Sequence, residues 1–139
     1  MSESDRFAET GRWVRCVRED LLAAEAMRKW PEMQSRHVCW LAQQAAEKAP
    51  KTALVFLQID FPRTHDLDAL RNLVADGWRL KNDHPDLASL TEWAVEARYP
   101  GHGPEAVEAD ARSAVWQARS IWASLRDDLT ERGFPTAGH

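Results

Sequence analysis

One stretch of the chain, Gln43-Gln44-Ala45-Ala46-Glu47-Lys48-Ala49-Pro50-Lys51, gathers two amides, a carboxylate and two ammonium groups at helical spacing. Gln43 and Glu47 stand four residues apart and share one face, with Gln44, Lys48 and Lys51 on the adjoining strip. Amides and a carboxylate in such a row can read hydroxyls and base edges, while lysines can meet phosphate. The same spacing also suits a solvated face, in which Glu47 and Lys51 form a pair worth about 0.2–0.5 kcal/mol.

A second group is Arg98-Tyr99-Pro100, followed by His102. An arginine can stabilise phosphorane-like charge while an imidazole moves the proton, which suffices to cleave RNA without a metal. The arginine can equally bond the last carbonyls of a helix and complement its dipole. His65 stands at the N-terminal edge of the helix before, and Arg79 with His84 offers a further arginine–histidine pairing. The histidines at 37, 65, 84, 102 and 139 lack ligand spacing, so no metal site and no cofactor are expected. Cys16 and Cys39 make no disulfide framework, and each falls in a helical pattern as a buried free thiol.

The elements that must hold these residues read as five helices. The first spans about Gly11 to Trp30, with Trp13, Val17, Leu21 and Ala24 on one stripe and Pro31 at its end. The second spans about Glu32 to Ile59, and its small residues Ala42, Ala45, Ala46 and Ala49 let another helix come close. Its apolar phase resumes at Ala53, so Pro50 predicts a kink and not a stop. Thr64 or Asp66 caps the third, whose stripe is Leu67, Leu70, Val74 and Trp78. The fourth starts at Asn82-Asp83-His84-Pro85 and ends at Pro100-Gly101. The fifth opens at Pro104, carries Val107, Ala111, Ala114, Ala118, Ile121, Leu125 and Leu129, and closes on Gly133. No segment alternates with period two, so the fold is all-α, an up-and-down helical bundle.

The domain is expected over 11–132, with flexible ends at 1–10 and 133–139. Hydrophobic residues at 44% and charged residues at 29% suit a folded globular domain, long enough at 139 residues for one core. No apolar run is long enough to span a bilayer, and the acidic start Met1-Ser2-Glu3-Ser4-Asp5 is no secretory signal, so a cytoplasmic location is expected. Residues 1–60 carry nine basic and nine acidic side chains, and residues 61–139 nine and thirteen, which accounts for the net charge of −4. No basic face for duplex nucleic acid is implied, which leaves a small nucleotide or a short grip on RNA. Seven tryptophans are many for this length. Trp40 and Trp93, off the centres of their stripes, are expected at a partner interface.

Three motifs occur in order: Gln43-Gln44-Ala45-Ala46-Glu47-Lys48 in a long helix, Phe61-Pro62-Arg63-Thr64-His65-Asp66-Leu67 opening the next, and Ala97-Arg98-Tyr99-Pro100 ending a fourth. Together they resemble the HEPN domain, the higher-eukaryote and prokaryote nucleotide-binding family, over about Trp13 to Leu129. The resemblance implies a bundle that pairs as a homodimer, here through the alanine-lined and tryptophan-bearing faces. It also implies a minimal nucleotidyltransferase partner in a two-gene toxin–antitoxin-like module, and a nucleotide or RNA as ligand. Gln43, Gln44, Glu47, Lys48, Lys51, His65, Arg98 and Tyr99 are then the expected binding residues. Family ribonucleases use an arginine and a histidine with four to six residues between them, which makes Arg98 and His102 the expected catalytic pair. Here three residues intervene, with Pro100-Gly101 among them. Binding without cleavage is therefore favoured over a ribonuclease, and a tryptophan-bearing adaptor is the third reading.

Overall fold

The computed structural model describes residues 2–30, 35–96 and 105–136. Its first helix, α1 (Glu3–Arg28), begins well ahead of Gly11, within the stretch 1–10 set outside the domain on the sequence. The reason is a capping box: Ser2 Oγ accepts the Asp5 N–H at 3.0 Å, and the Asp5 carboxylate accepts the Ser2 N–H at 3.4 Å. Phe7 and Arg6 then anchor the early turns. Arg6 donates to the Phe56 carbonyl at 3.1 Å and lies 4.5 Å over the Phe56 ring.

Helix α2 (Ser35–Leu57) passes through Pro50 without a stop, as its apolar phase requires. Its alanines at 42, 45, 46, 49 and 53 are all buried inside the chain. They let α1 approach closely, antiparallel, as Arg6 beside Phe56 and Asp20 beside Lys48 show. That face is therefore spent within the protomer and is not free for a homodimer, contrary to expectation. Helix α2 ends on Gln58 at φ +59, with Ile59 N–H bonded to the Leu54 carbonyl at 2.9 Å. A side chain in this left-handed geometry costs roughly 1 kcal/mol relative to glycine.

Two helices replace the expected single third one. Helix α3 (Leu67–Leu73) is capped by Asp66, whose carboxylate accepts the Ala69 N–H at 3.1 Å. After the turn at Gly77, α4 (Arg79–Asn82) starts with no cap of its own. The fully buried Asp128 supplies one from a distance, accepting the Arg79 and Leu80 N–H groups at 2.9 Å each. Helix α5 (Ala88–Glu96) packs on α2 and α3, with Leu87, Leu90 and Ala94 buried.

Helix α6 (Glu108–Glu131) starts where the Asp110 carboxylate accepts the Val107 N–H at 2.9 Å. Ala111 to Leu129 of the expected stripe is buried, but Val107 is exposed because it precedes the first turn. Gly133 at φ +88 closes the helix, with Phe134 N–H on the Leu129 carbonyl at 3.0 Å. Phe134 is buried against Phe7 and Phe56, so the chain stays packed beyond the expected boundary at 132. The fold is all-α, with six helices and no strand among the described residues. None of those helices is long and apolar enough to cross a membrane.

Asp128→Ala leaves two inward backbone donors without an acceptor. A loss of about 2–4 kcal/mol is expected in urea unfolding, with Gln58→Gly gaining up to about 1 kcal/mol in the same assay.

Candidate functional site

The inward turn of α2 buries the carboxylate of Glu47, at 5% exposure, beside the connector that leads into α3. A carboxylate withdrawn from water must be met by donors on both oxygens. Its Oε1 takes Gln43 Nε2 at 3.1 Å and His65 Nδ1 at 2.6 Å, and its Oε2 takes Lys51 Nζ at 3.0 Å. Burial pushes the Glu47 carboxyl upward, but hydrogen bonds from His65, Gln43 and Lys51, with the Lys51 charge, outweigh it and hold it below the ordinary glutamate range.

The chain of bonds continues outward. Gln43 is fully buried, and its Oε1 accepts Gln44 Nε2 at 2.8 Å. Gln44 is half-buried and carries the polar run to the surface. His65 is half exposed, bonded through Nδ1, with no partner for Nε2 among the described residues. The expected residues Gln43, Gln44, Glu47, Lys51 and His65 therefore meet in one network. Lys48 does not join it: it turns to Asp20 on α1 at 2.6 Å.

Aromatic rings that spacing did not single out for this site border it. Lys51 Nζ lies 5.9 Å from the Phe61 ring centre, and Phe61 meets the edge of Trp13 at 6.1 Å. The Trp13 indole N–H donates to Glu9 at 3.2 Å, and Glu9 also pairs with Arg12. An open cleft of about 290 Å³ lies along Glu9, Arg12, Trp13, Cys16 and Lys48. A wider groove of about 570 Å³ continues from Glu9 past Gln58, Asp60 and Phe61. Only the antiparallel packing of α1 on α2 brings these residues beside the strip.

The arginine–histidine pairs fare differently. Arg98, Tyr99, Pro100 and His102 lie outside the described residues. Arg79 braces Asp128 at 3.3 Å and pairs with Glu131, while His84 Nε2 shares a hydrogen bond with Ser124 Oγ at 2.9 Å. Burial lowers the His84 pKa, and its carbonyl is held by Arg71. Both residues tie the α4 region to its surroundings.

One further expectation is corrected. Cys16 is exposed at the cleft, since the α1 face it occupies is turned from the core, whereas Cys39 is buried. Desolvation pushes the Cys39 thiol up to about 12. Trp30 and Trp116 are the exposed tryptophans, at 63% and 67%, whereas Trp40 and Trp93 are half-buried.

Among sequence families, the HEPN domain matches residues 10–128. No curated protein and no solved structure matches the chain.

Because the folded Glu47 pKa lies below its unfolded value, its contribution is complete above the unfolded carboxylate range and drains as pH falls through the folded value. The stability difference between wild type and Glu47→Leu, measured by urea unfolding, should therefore hold down to about pH 5 and narrow as pH falls below about 4. A thiol-reactive dye should modify Cys16 rapidly in the native protein and Cys39 only after denaturation.

Proposed function

The chain belongs to the HEPN domain family, and from that premise we propose that the α2 strip binds a nucleotide, free or within RNA. The buried Glu47 carboxylate carries this reading. It holds two amides, an ammonium and an imidazole in fixed directions, so the entropy of ordering them is already spent before a ligand arrives. Gln44 and His65 present the outward groups, and Lys51 supplies an ammonium at the base of the strip; Lys48, at its edge, meets a ligand only by exchanging Asp20 for it. Arg98 and Tyr99, which follow α5 in the chain, complete the proposed set on the family resemblance alone.

In this reading the protein works as the binding component of a two-gene toxin–antitoxin-like module, with a minimal nucleotidyltransferase as partner. A partner surface has its own support. Trp30, Trp116 and Leu22 are large, apolar and exposed, and interfaces are enriched in such residues. A homodimer in this proposal uses them, because the alanine stripe is occupied.

The test is a thermal-shift titration with nucleoside mono- and triphosphates and short RNAs. A saturable rise is expected, equivalent to about 2.7 kcal/mol at a hundredfold excess over Kd. His65→Ala and Lys51→Ala should each weaken it about tenfold or more. Flat melting curves with every ligand would sink the proposal. RNA is expected to remain intact in the same mixtures; cleavage lost in Arg98→Ala or His102→Ala would instead establish the ribonuclease.

A further inference from the structure

The cleft of about 290 Å³ between α1 and α2 has a mainly apolar lining, in which half-buried Trp13 and exposed Cys16 sit between Arg12 and Lys48. Its charged groups are already matched: Arg12 pairs with Glu9, and Lys48 with Asp20 at 2.6 Å. A cleft balanced in this way has no spare cation for a phosphate, and a flat uncharged ring suits it better. The Trp13 ring is also fixed in place. Its indole N–H donates to Glu9 at 3.2 Å, and it stands perpendicular to the Phe61 ring at 6.1 Å between centres. A ligand that stacks on it therefore loses little to ordering the protein.

The cleft is continuous with the α2 strip. Lys48 belongs to both, one turn on from Gln44. On the other flank Lys51 Nζ lies 5.9 Å from the Phe61 ring, which in turn meets Trp13. Two such steps lie within the reach of one nucleotide from phosphate to base. We infer that the cleft holds the base of the bound nucleotide, stacked on Trp13; this rests on the nucleotide-binding reading above. The strip then keeps sugar and phosphate at His65 and Lys51, while the base passes Lys48 into the cleft. Every base has a π-face, so this contact adds affinity and discriminates little among bases. An aromatic side chain of a protein partner would suit the same lining, but it brings no phosphate for the strip.

Cys16 reports occupancy directly, because it lines the cleft and is exposed, whereas Cys39 is buried. The experiment measures how fast a thiol-reactive dye modifies native Cys16, alone and with AMP or UMP at concentrations that saturate the thermal shift. Either nucleotide should slow the reaction about tenfold or more, since at a hundredfold excess over Kd only about one molecule in a hundred is unoccupied. Trp13→Leu should weaken AMP about 5- to 150-fold, the worth of one stacked base, and Trp13→Phe should recover part of that loss. Protection of Cys16 in the wild type decides the matter even where Trp13→Leu fails to fold. A saturable thermal shift without protection of Cys16, or unchanged AMP affinity in a folded Trp13→Leu, overturns the inference and leaves the strip reading standing. No thermal shift with any nucleotide removes the strip reading, and the inference with it.

Discussion

Helix α2 is enclosed by α1, α3, α5 and α6, and the enclosure leaves its inward polar groups no water to bond. A buried carboxylate in that position is tolerated only when donors converge on it. Glu47 draws Gln43 and Lys51 from its own helix and His65 from the following connector. The connector is thereby tied to α2 just before Asp66 caps α3. The packing of the third helix and the outward posture of His65 and Gln44 share one cause. A site assembled this way needs no loop to close before its groups are aimed.

The second inward carboxylate, Asp128, shows what the same physics does with a different set of donors. It is fully buried and accepts backbone N–H groups from Arg79 and Leu80, with guanidinium contacts from Arg79 and Arg132. Two of those donors are backbone N–H groups, so Asp128 builds the start of a short helix, and Arg79 beyond it is taken by Glu131. Glu47 is met by side chains alone, of which His65 is half exposed and Gln43 passes the run on to Gln44. The difference between a structural carboxylate and one that organises a surface lies in what its donors carry on their other side.

Aromatic packing holds the opposite end of the bundle. Phe7, Phe56, Phe134 and Trp78 cluster where α1 begins and α6 ends, and Arg132 lies 4.3 Å over the Trp78 ring. With that end fixed and the alanine stripe joining α1 to α2, the cleft beside Lys48 and Trp13 has two rigid walls. The most exposed apolar side chains, Leu22, Trp30, Val107 and Trp116, lie on the second half of α1, just past its end, and at the start of and along α6.

Much of this was legible in the residues. Period-3.6 stripes marked the helices, Asp66 and Gly133 marked their ends, and the spacing of Gln43, Glu47 and Lys51 marked one face. These are local properties, written in residues a few positions apart. The Ser2 capping box was equally local, but an acidic run at a terminus resembles a disordered tail until its hydrogen bonds are drawn. Other features depended on residues far apart in the chain. Lys48 sits among the strip's residues in sequence, yet Asp20 across the α1 interface takes its charge. His84 and Arg79 looked like a chemical pair, yet Ser124 and Asp128 on α6 engage them. The sequence by itself determined the long helices, the family and most residues of the strip, because each is carried by local spacing or by motif order. The tertiary structure alone decided that Glu47 is buried, that His65 completes its shell and that Gln44 faces outward with fixed polarity. Burial and hydrogen-bond direction arise only when helices enclose one another, and no local pattern encodes them.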